Sequence, residues 1–193
     1  MKNIFPRFFL LLTALALLTA CDDTSDRLSQ LSGPTMGTTW SVKFFGTPEN
    51  GVPALKSAIE SSLEDINQEM STYLPDSAIS RFNGLEAGGS LVLPSDFATV
   101  LDEALGLAEA TDGAYDVTVG PLVNLWGFGP DPERFEPPAA ADIEAARRRV
   151  GWQKLKLDDR TLTQPGGVYL DLSSIAKGFA VDKLAKILSL IHI

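Results

Sequence analysis

One cysteine and one histidine stand among the 193 residues, and basic side chains are outnumbered 16 to 25 by acidic ones, for a net charge of −9. A lone cysteine excludes a disulfide within the chain. The only histidine, His192, is the penultimate residue, so it is given no catalytic role and a His-based nucleophile relay is unavailable within the chain. The acidic balance speaks against nucleic acid, whose binding draws on clustered Lys and Arg. The one basic cluster, Arg147-Arg148-Arg149, lies just before Gly151, where cations complement a helix C-terminus. A Walker phosphate loop with its extra glycines is missing, and no internal repeat is visible.

What is present begins with an export pattern. Lys2 and Arg7 precede an apolar run from Phe8 to Ala20, too short for a comfortable membrane span and suited to a signal peptide. The run closes in Leu18-Thr19-Ala20-Cys21, which resembles the bacterial lipoprotein signal, in which Cys21 is acylated after cleavage and becomes the new N-terminus. The alternative is an ordinary secretory signal with a stray thiol. Asp22 resembles the signal for retention at the inner membrane, which implies a lipid anchor on the periplasmic side. The expected organisation is a signal over 1–20, a polar tether over 21–31 and one domain over 32–188.

Along that domain, Thr38 to Phe45 alternates as a strand, with Trp40, Val42 and Phe44 on one face. Pro53 to Met70 reads as a helix burying Leu55, Ile59, Leu63, Ile66 and Met70, with Lys56, Glu60, Glu64 and Asp65 in solvent. Ser95 is placed as the cap of a second helix that runs to about Ala110 and stops at Asp112-Gly113. A third helix is expected from about Ala139 to Val150, after an exposed, proline-rich excursion over Asp131 to Pro138. Lys154 to Leu157 and Val168 to Leu172 read as a strand pair, and Ser173 or Ser174 as the cap of a last helix through about Leu188. Helices and strands interleave without βαβ spacing, so the fold class is α+β with a largely antiparallel sheet.

The most informative stretch is Thr111 to Pro130, TDGAYDVTVGPLVNLWGFGP. Turn signals at Asp112-Gly113, Gly120-Pro121 and Gly127 to Pro130 surround apolar pieces. Asp112, Tyr115, Asp116, Thr118 and Asn124 sit among residues that ought to be buried, where each needs a bonding partner. Chemistry alone leaves a ligand-binding loop and a Gly-rich structural connection equally open. A second junction, Leu170 to Gly178, passes from strand to helix across two serines with Lys177 nearby, so N–H groups at the helix start and the lysine can face a pyrophosphate. Helix caps with a lysine one turn on are common, and taken alone the junction reads more simply as such a cap.

These two segments, with Gly33-Pro34-Thr35-Met36-Gly37-Thr38, and with Met70-Ser71-Thr72-Tyr73 followed by Ser80-Arg81-Phe82-Asn83, closely resemble the ApbE family of FAD:protein FMN transferases, whose fold is related to the T-fold. The resemblance covers about Ser32 to Lys186. It implies that Met36, Tyr73, Ala114-Tyr115-Asp116, Asp171 and Lys177 contact FAD, and that Ser174 helps to hold Mg²⁺. Met36 and Tyr73 offer polarizable or aromatic surface to a flat ring, Asp116 and Asp171 accept hydrogen bonds, and Lys177 offsets pyrophosphate charge; without the family, core packing is the simpler account of Met36 and Tyr73. The implied reaction is Mg²⁺-dependent transfer of FMN from FAD to a Ser or Thr hydroxyl of flavin-carrying subunits of membrane redox complexes, with AMP released. An FAD pyrophosphatase and a non-catalytic FAD-binding lipoprotein are the alternatives. No residue is assigned as the general base.

The chain closes in Leu188-Ser189-Leu190-Ile191-His192-Ile193 without a helix stop signal. These residues match the translation of a transposon-derived sequencing adapter, and members of the resembled family run on further. The expectation is a non-native tail over 188–193 on a chain cut short, with an incomplete metal site and little turnover of its own. A genomic clone with an in-frame natural stop after Ile193 would remove that expectation.

Overall fold

A tight hairpin opens the fold. In the computed structural model, which describes residues 28–130 and 136–190, β1 (Ser29–Thr35) and β2 (Thr38–Phe44) pair antiparallel with Thr35 opposite Thr38. Met36 and Gly37 alone make the turn, with φ of 48° and 70°, the two-residue geometry that favours Asn or Gly because both positions are left-handed. A methionine there carries roughly 1–2 kcal/mol of backbone cost. Trp40, Val42 and Phe44 are buried and Phe45 is exposed, as the alternation predicts.

Against the hairpin lies α1 (Gly51–Met70), whose stripe Leu55, Ile59, Leu63, Ile66 and Met70 is buried. α2 (Ala78–Asn83) follows at once, with the Ser77 side chain accepting from the Ser80 N–H at 3.1 Å. Beyond it come β3 (Ser90–Val92), α3 (Ser95–Ala110), α4 (Gly120–Leu125) and α5 (Ala140–Arg147). After a short 3-10 turn, β4 (Lys156–Asp158) and β5 (Thr161–Thr163) lead to α6 (Ala176–Leu190), which packs on α1. β5 lies between β3 and β4, all antiparallel. Phe82, Phe97, Leu101, Leu162, Leu170 and Leu172 are fully buried where these elements meet, each contributing about 1.5–3 kcal/mol. The α+β class with mainly antiparallel pairing holds.

Several local expectations are corrected. Residues 29–31, expected as tether, belong to β1, because the Met36-Gly37 turn carries the pairing out to Ser29 opposite Phe44. Val168 to Leu172 is not the partner of the strand near Lys156; β4 pairs with β5 instead. The reason is that Gly166 and Gly167, with φ of 107° and 75°, turn the chain away, and the Leu170 N–H and C=O are both taken by the Asn83 side-chain amide. Ser95 starts α3 but its side chain caps nothing; a carboxylate oxygen of Glu69 accepts from the Phe97 N–H at 2.9 Å. Neither Ser173 nor Ser174 caps α6, which begins at Ala176 and continues to Leu190 rather than 188. α5 stops at Arg147, and turns carry the chain on to Val150. The signal segment with Cys21 and Asp22, most of the proline-rich excursion, and His192 lie outside the described residues.

The basic cluster is absorbed by local structure. Arg149 donates to the Gly167 carbonyl at 2.7 Å, and Lys154 donates to the carbonyls of Arg148 and Val150 at the end of α5. α3 ends as its sequence predicts: the Gly113 N–H reaches the Ala108 carbonyl and the Asp112 N–H that of Glu109, with Asp112 at φ 51°. This is the paired-bond stop that a left-handed residue permits.

Glu69 generates a test. Its carboxyl is raised above the ordinary value of 4.5, chiefly by burial and further by Asp96 and Asp65, against the Phe97 N–H and Lys183, which lower it. Lys183 pairs with Asp96 alongside. A raised acid contributes stability that is fully present below the unfolded value and is lost as pH rises through the folded one. Glu69→Gln keeps an acceptor for the Phe97 N–H without the buried charge, so it should match or exceed the wild type in urea midpoint at pH 7 and flatten the pH dependence above 4.5. Glu69→Ala removes the acceptor and should cost about 1 kcal/mol.

Candidate functional site

The hairpin turn, the exit of α1 and the start of α6 enclose a cavity of about 760 Å³. Met36 and Gly37 enter it from the turn, Asn67, Met70 and Ser71 to Leu74 from α1 and its exit, and Ser173, Ala176 and Lys177 from the other side, with Phe128 at its edge. Ligand pockets of this size combine apolar walls with a few polar groups. The left-handed Met36 is the kind of strained residue that collects at ligand sites.

Hydrogen bonds fix the walls. The Ser77 hydroxyl donates to the Ser71 carbonyl at 2.7 Å, and the Tyr73 N–H donates to the Ser71 hydroxyl at 3.3 Å. The Tyr73 hydroxyl donates to the Phe128 carbonyl at 3.0 Å, which joins the α1 exit to the loop after α4. Opposite, buried Asp171 accepts from the Ser173 N–H at 2.8 Å, and its own N–H donates to the Val117 carbonyl at 2.9 Å. Its segment is held by Asn83, which donates to the Leu170 carbonyl at 3.0 Å and accepts from the Leu170 N–H at 2.7 Å. Gly120 lets the chain pass against Tyr169, since a Cβ there would collide with the Tyr169 ring and carbonyl.

The expected site residues therefore divide. Met36, Tyr73 and Lys177 line the cavity, and Lys177 is exposed with no ion pair among the described residues. Asp171 stands behind it, setting the turn that carries Ser173. Tyr115 and Ser174 meet at 3.1 Å between hydroxyls. Ala114 is exposed and does not line the cavity. Asp116 does not line it either: one carboxylate oxygen accepts from the Thr118 N–H and hydroxyl at 2.8 and 2.7 Å, the other from the Trp152 N–H at 3.0 Å. Thr118 in turn accepts from the Gly151 N–H at 2.7 Å, so Asp116 and Thr118 brace the loop, while the buried Asn124 Oδ1 has no partner among the described residues.

Magnesium asks for several oxygen donors in near-octahedral array. Ser174 is engaged with Tyr115, Asp171 with Ser173, and among the described residues no three His, Cys, Asp or Glu side chains gather to hold a metal. The described residues do not by themselves fit a magnesium ion.

The model of the ApbE family matches residues 36–193. The chain belongs to the ApbE family. It is 42% identical over 181 residues to the FAD:protein FMN transferase of Haemophilus influenzae, covering 90% of this chain and 52% of that protein. It is 41% identical over 178 residues to the Vibrio cholerae FAD:protein FMN transferase, covering 90% and 52%. The solved structure of the Vibrio cholerae flavin transferase ApbE superposes with a TM-score of 0.83 at 41% identity, covering 86% of this chain and 54% of that one. The chain thus spans about half the length of the curated relatives it matches.

Two participants escaped the sequence reading of this ApbE chain. Glu64, read as solvated surface, lies at the cavity, where helix periodicity alone does not show what a solvent-facing residue borders. Phe128 was signalled only by the glycine before it. Asn83 was noticed as part of a motif, while its function as a clamp depends on a partner 87 residues away. Asn83→Ala leaves the buried Leu170 N–H and C=O without partners and should cost about 2–3 kcal/mol in urea unfolding. Asn83→Asp, which lacks the amide donor, should recover only part of that loss.

Proposed function

We propose that the protein is an FAD:protein FMN transferase. The observation that carries this reading is the cavity shared by Met36, Tyr73 and Lys177 in a chain of the ApbE family. A flat ring can lie against the thioether of Met36 and the aromatic ring of Tyr73, while the exposed ammonium of Lys177 faces the pyrophosphate. The Asp171 turn fixes the chain just before α6, so the position of Lys177 is set before substrate arrives. Positioning and charge compensation are the main demands of such a transfer.

In the reaction, a Ser or Thr hydroxyl oxygen of the acceptor bonds to the phosphorus of the FMN half of FAD. The bond from that phosphorus to the bridging oxygen breaks, AMP leaves with the electron pair, and the hydroxyl proton passes to a base. Mg²⁺ dependence belongs to this proposal through the family alone, and no residue of the described chain is given to the ion. Acceptors among flavin-carrying subunits of membrane redox complexes belong to it as well. The export pattern before Cys21, and Asp22 after it, support lipid anchoring at the periplasmic face of the inner membrane.

The test uses the mature protein from the complete reading frame containing this chain, with Cys21 replaced, incubated with FAD, Mg²⁺ and an acceptor domain before mass spectrometry. The expected product is an acceptor heavier by the FMN moiety, absent in Asp171→Ala. Free FMN beside an unmodified acceptor would instead establish hydrolysis, and intact FAD would remove the enzyme reading. Lys177→Ala should weaken FAD about tenfold, less at high salt, while leaving riboflavin affinity unchanged.

A further inference from the structure

Phe128 is 75% exposed, yet its backbone is among the most firmly held parts of the cavity edge. α4 ends in a paired-bond stop: the Phe128 N–H donates to the Val123 carbonyl and the Gly127 N–H to that of Asn124, both at 3.0 Å, with Gly127 at φ 77°. In this motif the residue at the Phe128 position often packs its side chain back on the helix. Here the side chain remains in solvent. The next residue is equally constrained, because a Cβ at Gly129 would collide with the Asn124 side chain. On the cavity side, the Tyr73 hydroxyl holds the Phe128 carbonyl at 3.0 Å.

An exposed aromatic on a mobile loop would carry no argument, since scattered apolar residues are normal on surfaces. Phe128 differs in being fixed from both sides at the edge of a cavity that already holds Tyr73 and Met36. An aromatic ring carried there on a fixed backbone lacks only a flat partner. We infer that Phe128 stacks on a planar ring of the bound dinucleotide and closes the cavity over it. This rests on the FAD reading above and extends it to a residue that grips the ligand. FAD carries two planar rings, isoalloxazine and adenine, and either offers a face for stacking. The Tyr73 to Phe128 hydrogen bond couples the two aromatic walls, so Tyr73 positions Phe128 as well as lining the cavity.

The test titrates FAD, riboflavin and ADP into the mature protein and its Phe128 variants, by flavin fluorescence quenching and by calorimetry. Phe128→Ala and Phe128→Leu should each weaken FAD about tenfold, Phe128→Trp should retain affinity, and thermal unfolding should be unchanged because the ring is exposed. A parallel loss for riboflavin places the flavin ring against Phe128, and a parallel loss for ADP places the adenine there. Equal FAD affinity in wild type and both truncations overturns the stacking inference while leaving the FAD site standing. A wild-type protein that does not bind FAD overturns both.

Discussion

Two hydrogen bonds between the Asn83 amide and the backbone of Leu170 are the constraint on which the rest of the site depends. They draw the end of α2 onto a segment 87 residues later, whose strand-like pairing among the described residues is limited to one parallel bridge between Tyr169 and Val119. With its own N–H and C=O satisfied, Leu170 is fully buried, and Asp171 is delivered to the turn that precedes α6. Gly120, close against Tyr169, and the Asp171 N–H on the Val117 carbonyl tie the same segment to the loop before α4. A partly buried amide that meets both groups of one buried residue leaves no uncompensated backbone atom there, which is why Leu170 can sit in the core.

From that anchor the site is assembled by neighbours that contribute little chemistry themselves. Ser77 and Ser71 shape the exit of α1 and set Tyr73, and Tyr73 ties down Phe128. Asp116 and Thr118 secure the loop to the residues after α5. The Glu69 carboxylate holds the start of α3, and the Asp96 to Lys183 pair joins that start to α6. The left-handed Met36 is the clearest strain in the cavity wall, and the buried stripe of α1 beside it supplies the packing that sustains it.

The sequence showed well whatever depends on local periodicity. The stripe of α1, the inward face of β2 and the stop of α3 at Asp112-Gly113 all follow from spacing and turn chemistry. β1 escaped because its residues, Ser29 to Thr35, are polar or turn-forming apart from Leu31 and are held by the register of their partner. The cap of α3 escaped because Glu69 comes from another helix, and Val168 to Leu172 looked like a strand because apolar alternation does not reveal that Asn83 has claimed its backbone. At the site, Met36, Tyr73 and Lys177 could be named from family motifs, and their convergence on one cavity required the fold. Asp116, named with them, lies outside that cavity, and both its oxygens accept internal bonds.

The central claim is that the dinucleotide occupies the cavity between the hairpin turn, the α1 exit and the start of α6. A crystal structure of the mature protein grown with FAD tests it most directly. The account predicts a flavin nucleotide bounded by Met36, Tyr73 and Lys177. Density for FAD in the neighbouring groove of about 480 Å³ between β2 and α6, lined by Val42, Val181 and Leu184, would contradict it.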